Sequence, residues 1–211
     1  MDEIFFQKLA EWGINPSENQ LEKLKLFAEE LKKKNARINL VSRKDVENLW
    51  TRHILDSVPF ISLLEELKVS PEKLKILDAG TGAGFPGAIL AILLPGTDFT
   101  LAESAQRKYS FLLWIKGKLK LSNAAIVNKR LEKNDRELSG FDVCVERAMG
   151  KIEDVLPLCL GTVREGGFFA AWQNEENLEE IKKTKNPDFI YNYSVSGEKK
   201  RAIFVFKKTA I

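Results

Sequence analysis

Lys75-Ile-Leu-Asp78-Ala-Gly80-Thr-Gly82-Ala-Gly84-Phe85-Pro86-Gly87 is the stretch that decides the fold. An apolar, strand-forming run enters a glycine-packed turn, and an apolar helical run begins just beyond it. Gly80, Gly82 and Gly84 carry no β-carbon to obstruct a ligand and tolerate positive φ, and the turn leaves backbone N–H groups near a helix N-terminus. Strand, turn and helix in this order read as the seat of a nucleotide-like cofactor.

Outward from this turn the chain alternates strands and helices from Ser70-Pro71 onward, the signature of a doubly wound α/β sheet. Strands are expected at 75–79, 99–103, 125–129, 141–146 and 167–172, with helices at 86–94, 108–119 and 152–162 between them. Residues 189–195 and 201–207, joined by the turn Ser196-Gly-Glu198, read as an antiparallel hairpin added to the parallel sheet. Residues 1–70 read as a helical extension and 71–211 as the α/β domain. In the extension, Ile4, Phe5, Leu9 and Trp12 recur at helical spacing, and Ser17 with Gln20 forms a capping-box pattern. Leu21, Leu24, Ala28 and Leu31 mark one face of a long helix that ends near Asn35. A further helix is expected from Lys44 to Leu67.

The cofactor is chosen by two details of the turn. Gly82 to Gly87 formally satisfies the G-x-G-x-x-G of NAD-binding proteins, a weak match by itself. Pro86, however, falls where a pyrophosphate needs N–H donors, and proline has none. Asp78 before the first glycine is similar to the acidic residue of the S-adenosylmethionine (SAM) methyltransferase loop, where it can accept hydrogen bonds from the methionine end. Glu103 closes the second strand about 25 residues after Asp78, where α/β nucleotide sites place a carboxylate for the ribose hydroxyls. Leu131-Glu132 follows the third strand, where an ordinary capped turn and the place at which methyltransferases cover the adenine ring and bind its amino edge are alternative readings. Arg147 leaves the C-terminal end of the fourth strand beside the expected ligand crevice, with an ion pair to Glu146 or Glu153 as its structural alternative. Phe85, inside the turn, could flank the cofactor or a flipped base.

Composition narrows the class. The 211 residues are 44% hydrophobic and 30% charged, an ordinary globular balance. The acidic start Met1-Asp2-Glu3 does not resemble a secretory signal, and the longest apolar run, 88–94, is far short of the about 20 residues of a membrane span. A soluble, cytoplasmic protein is expected. Cys144 and Cys159 read as buried reduced thiols, and with one histidine no metal site is expected. The net charge of +3, from 33 basic and 30 acidic residues, is too balanced to indicate nucleic-acid binding by itself. Between residues 32 and 52, however, seven bases (Lys32, Lys33, Lys34, Arg37, Arg43, Lys44, Arg52) face two acids, Asp45 and Glu47. Such a segment can meet phosphates, as can the hairpin bases Lys199, Lys200 and Arg201.

Absent motifs constrain the chemistry too. No Asn-Pro-Pro-Tyr-like segment follows the fourth strand, so the usual apparatus for methylating an exocyclic amine is missing. Neither cysteine has a Pro-Cys context, so the covalent route to 5-methylcytosine lacks its nucleophile. No tyrosine has the Tyr-x-x-x-Lys spacing of a reductase. A guanine N7 needs none of these, because its in-plane lone pair is nucleophilic at neutral pH. His53 is therefore expected to make a structural hydrogen bond with Asp56 or backbone rather than to act as a base.

The glycine loop, the 101–108 continuation through Glu103, Arg130-Leu131-Glu132 and Glu146-Arg147-Ala148 together resemble the ribosomal RNA small subunit methyltransferase G family. Asn39-Leu-Val-Ser42 and Arg52-His-Ile-Leu-Asp-Ser57 resemble that family's N-terminal signatures, so the likeness spans nearly the whole chain. The resemblance implies a Rossmann-like class I SAM-dependent methyltransferase, with a mainly parallel seven-stranded sheet, that methylates N7 of one guanine in 16S rRNA. Its partner is the rRNA or an assembling 30S subunit, and a monomer is expected. It further implies that Gly80, Phe85, Leu131, Glu132 and Arg147 bind SAM, with Glu103 at the ribose and Arg147 also catalytic. The chain departs from the family pattern at Glu103, often Asp, at Leu131, often Ala or Val, and at Glu146, often Ser. A methyltransferase for a small molecule or a protein would keep the same cofactor residues but leaves the basic N-terminal segment unexplained. A non-catalytic RNA-binding module leaves the intact cofactor turn unexplained.

Overall fold

The computed structural model describes residues 3–133, 135–195 and 200–209. Its centre is a seven-stranded sheet of β1 (Lys75–Ala79), β2 (Asp98–Ala102), β3 (Ala124–Val127), β4 (Phe141–Arg147), β5 (Val163–Asn174), β6 (Phe189–Tyr193) and β7 (Arg201–Lys207). The spatial order is β3-β2-β1-β4-β5-β7-β6. β1 to β5 run parallel, and β7 is antiparallel to both β5 and β6. The expected hairpin is thus present, while its turn at 196–198 and the neighbouring Lys199 lie outside the described residues.

Central strands covered on both faces are mostly apolar, and Ile76-Leu77 and Val143-Cys144-Val145 are fully buried. Alternation along β4 sends Val143 and Val145 to one face and Cys144 to the other. The face of Val143 packs on α1 (Glu3–Glu11), α2 (Glu18–Ile38), α6 (Gly87–Leu93), α7 (Gln106–Leu119) and the helical residues up to 67. The opposite face packs on α8 (Ile152–Thr162) and α9 (Leu178–Thr184). Both cysteines are buried and unpaired.

α2 begins with the expected capping box: Gln20 N donates to Ser17 Oγ at 3.3 Å, and Ser17 N donates to Gln20 Oε1 at 2.8 Å. Gln20 also ties α2 to the sheet side, its Nε2 donating to the carbonyls of Ile92 and Leu93 at the end of α6. Phe27 carries the helix into the core, edge-on to Phe85 and Phe111. Burying such a ring contributes roughly 2 kcal/mol.

The segment expected as one helix from Lys44 to Leu67 is four pieces. α3 (Arg43–Glu47) is capped by Ser42, a π turn spans Trp50–Ile54, and α4 (Leu55–Ser57) and α5 (Pro59–Glu66) follow. In the π turn Leu55 N donates to the Trp50 carbonyl, so one extra residue enters the turn. The apolar face, including Leu49, Ile54, Leu55 and Val58, remains buried through the change. β5 is also longer than expected, and α9 was not anticipated. Among the described residues no helix is long and apolar enough to cross a membrane, and no group of three His, Cys, Asp or Glu could hold a metal.

Candidate active site

The glycine turn is held by residues at the ends of β1 and β2. Gly80, Gly82 and Gly84 all have positive φ, at 65°, 61° and 103°. Around Gly82 a side chain would meet nothing nearer than 3.9 Å, so this is the glycine that opens room for a ligand. Gly87 has the opposite reason: a β-carbon there would lie 2.5 Å from Asp78 Oδ2. That oxygen accepts from Gly87 N at 2.7 Å and from Thr81 Oγ1 at 2.6 Å. Thr81, overlooked in the sequence reading, is the hinge of the turn. Its carbonyl accepts from Gly84 N and Phe85 N, and its own N–H donates to the Ala102 carbonyl. The signal for it was its place between two glycines.

Asp78 is therefore not an exposed ligand-facing carboxylate. It is fully buried, caps the first amide of α6, and keeps one oxygen, Oδ1, buried without a hydrogen bond. Burial pushes its pKa up to about 6, against the hydrogen bonds from Thr81 and Gly87. Glu103 accepts from Gly82 N at 3.0 Å through Oε2 and from Ala105 N at 2.7 Å through Oε1. It thus braces the turn, and each oxygen retains a second lone pair. Asn128, after β3, donates to the Glu103 carbonyl at 2.7 Å. Leu131 is buried and Glu132 exposed, on the same side of the sheet order as Glu103.

A second constellation centres on Asp56, which is 2% exposed. Its Oδ2 pairs with Arg147 Nη1 at 3.1 Å and Arg201 Nη1 at 2.6 Å, and its Oδ1 accepts from Tyr193 Oη at 2.7 Å. Trp172 Nε1 donates to its backbone carbonyl at 2.9 Å. The carboxylate thus joins the helical segment to β4, β6 and β7, and the backbone carbonyl of the same residue joins it to β5. Arg147 is held by Asp56 and by His53, whose Nδ1 lies 2.6 Å from Nη2, and neither Glu146 nor Glu153 is its partner. In place of the hydrogen bond expected for His53 with Asp56 or backbone stands this His53–Arg147 contact. Beneath them lies Phe85, with His53 4.8 Å and the Arg147 guanidinium 5.2 Å from its ring centre. Phe85 is only 4% exposed, so it supports these two side chains instead of standing open to a ligand. Asp56 was expected only as a partner of His53, and Tyr193 and Trp172 were not singled out as site residues. The available signal was one aspartate inside the apolar run 54–58.

Glu146 is fully buried, accepts from Met149 N through Oε1, and leaves Oε2 without a partner. Burial, reinforced by Asp78 across the β1–β4 pairing and opposed by the Met149 hydrogen bond, pushes its pKa to about 7.

A cavity of about 410 Å³ opens beside Arg147 at the C-terminal ends of β4 and β5. Asp45, His53, Arg147, Gln173, Asn174 and Arg201 are among its lining residues. Of the basic residues read from the sequence, Lys32, Lys33, Arg37, Arg43, Lys44, Arg52 and Lys200 are exposed. Lys33 pairs with Glu30 and Arg52 with Asp45, Lys34 lies over the Trp114 ring, and Arg201 is committed to Asp56.

Sheet order, the antiparallel seventh strand and the glycine turn with its acidic braces define a class I SAM-dependent methyltransferase. Solved structures agree on the fold. A SAM-dependent O-methyltransferase from Thermotoga maritima superposes with TM-score 0.56 at 16% identity, covering 74% of this chain and 66% of that one. The T. thermophilus 16S rRNA N2 methyltransferase solved with AdoMet and guanosine gives 0.55 at 16% identity, covering 74% and 43%.

The family model described as rRNA small subunit methyltransferase G matches residues 20–205, and the chain belongs to that family. A relative named ribosomal RNA small subunit methyltransferase G from Syntrophomonas wolfei is 36% identical over 88% of this chain and 89% of its own. One of the same name from Mycoplasma capricolum is 34% identical over 79% and 70%.

SAM is the cofactor of such an enzyme, and the residues at the turn fit it. Open space beside Gly82 and the spare lone pairs of Glu103 are what a ligand with hydroxyl and ammonium donors requires.

Proposed function

We propose that this enzyme methylates N7 of one guanine in 16S rRNA, within free rRNA or an assembling small subunit. The observation that carries the reading is the polar cavity beside Arg147, roomy enough for a purine base, whose His53 and Arg147 rest on Phe85 of the cofactor turn. SAM supplies the methyl group on a positively charged sulfur. Gly82, Glu103, Leu131 and Glu132 hold it, with Asp78 shaping the turn from beneath.

The chain's own residues then have to orient the base and exclude water. Arg147 can donate to guanine O6, which leaves the N7 lone pair free and aims it by fixing the base plane. Asp56 holds the guanidinium in place and, shared with Arg201, offsets part of its charge beside the cationic purine formed by methylation. No proton has to be removed from N7, and the site provides no free imidazole base: the His53 Nδ1 lone pair is occupied by Arg147. The exposed bases of α2 and α3, with Lys200, meet the RNA backbone. The helical residues before β1 serve as the RNA-contacting part, and the enzyme works as a cytoplasmic monomer.

The acceptor class is tested by incubating the protein with methyl-labelled SAM and, separately, 16S rRNA, small subunits lacking the modification, and ribosome-free protein extract. Label is expected in the rRNA of the first two. Label confined to protein or small molecules would overturn the reading while leaving the fold intact.

A further inference from the structure

We propose that the groove between α2 and α7 is a second RNA subsite, in which an unpaired nucleotide of the substrate stacks on Trp114. The proposal rests on the RNA-substrate reading above and names where, outside the base cavity, the strand is gripped. The groove encloses about 410 Å³, as large as the cavity at Arg147 but of different chemistry. Its floor is Ile38, Phe111 and Trp114, its rim is Lys34, Arg37 and Arg107, and no carboxylate lines it.

Trp114 is half-buried, braced by Phe111 with ring centres 6.1 Å apart, and two ammonium groups approach its ring. Lys34 Nζ lies 4.5 Å and Lys118 Nζ 5.7 Å from the centroid. Both ammonium groups lie over the ring on flexible stems, so an incoming base stacks by displacing them, and the freed ammonium groups then meet the flanking phosphates beside the guanidinium groups of the rim. A duplex offers no free base face, so the groove selects unpaired strand.

Position supports the same occupant. α7 starts just after Glu103, and Lys108 on that helix reaches within 4.0 Å of where a Gly82 β-carbon would stand. The groove therefore opens along the helix that borders the cofactor turn. A nucleotide held there belongs to the same RNA whose target guanine enters the cavity at Arg147.

The test is direct binding, independent of methyl transfer. Fluorescence anisotropy with a fluorescein-labelled single-stranded oligoribonucleotide is measured for the wild-type chain and for Trp114→Ala and Trp114→Phe, each checked for an unchanged melting temperature. SAM affinity is followed by calorimetry. Trp114→Ala is expected to weaken the single strand roughly tenfold, Trp114→Phe to restore most of it, and a duplex of the same sequence to bind all three alike. Arg107→Glu is expected to weaken binding and flatten its salt dependence while SAM affinity holds. Equal single-strand binding by wild type and Trp114→Ala, or equal losses for single strand and duplex, would overturn the subsite. Loss of methyl transfer to rRNA in the wild type would instead remove the substrate reading, and the binding series would still decide whether the groove takes RNA.

Discussion

His53 is the chain's one imidazole, and its surroundings keep it neutral. Arginine has only donors, so the 2.6 Å contact with Arg147 requires Nδ1 to accept and places the ring proton on Nε2. Burial first, and the Arg147 charge second, push its pKa down to about 4. The folded-state value lies below the unfolded one, so this residue's contribution to stability is complete above pH 6.5 and is lost as pH falls toward 4. A proton NMR titration of the single histidine should show no imidazole titration until about pH 5, and a midpoint near 6.5 would contradict the contact. Glu146 has the opposite sign. Its raised pKa of about 7 means that its contribution is complete below pH 4.5 and is lost as pH rises through 7. Glu146→Gln keeps a carbonyl acceptor for Met149 N–H and cannot ionise. Urea denaturation should find the variant close to wild type at about pH 5 and more stable by about 3 kcal/mol at about pH 8. A pH-independent difference would show that the buried carboxyl is not what titrates.

Between elements, Asp56 does what no single strand or helix can, joining the segment after the π turn to β4, β6 and β7 through Arg147, Tyr193 and Arg201. Removing its charge leaves two partly buried guanidinium groups uncompensated. Asp56→Asn should lower the unfolding free energy by about 3 kcal/mol and cut methyl transfer more than tenfold where the fold survives. A variant with wild-type stability in urea would contradict the hub. This cluster also marks where sequence reading stops. The glycine turn was legible because β1, the turn and α6 are contiguous, and the same local logic located the capping box of α2, the strands and the hairpin. Asp56, Arg147, Tyr193 and Arg201 are far apart in the chain, and their meeting follows from the β5-β7-β6 order that apolar periodicity does not encode. The break in the 44–67 helix was hidden for a related reason. The π turn adds a residue while Ile54, Leu55 and Val58 stay on the buried side, so the pattern of a continuous helix survives its interruption.

At the scale of the molecule, the sheet's two faces have different coverings. α8 and α9 cover one, while α6, α7 and the helical residues before β1 share the other and bring the basic ends of α2 and α3 to the side of the cofactor turn and cavity. With rRNA as ligand, the charge at those ends governs encounter. Reversing Lys32, Arg43 and Lys44, all exposed, should weaken rRNA binding and lower the slope of log affinity against log salt by about two to three. An unchanged slope would remove these residues from the RNA contact. The central claim is that a SAM-loaded site beside Arg147 receives a guanine and alkylates its N7. The most direct measurement is mass-spectrometric identification of the nucleoside formed when the protein, SAM and unmodified small subunits react. A single 7-methylguanosine in 16S rRNA is the predicted product, and methylation at an exocyclic amine, at a pyrimidine or at no nucleoside would contradict the account.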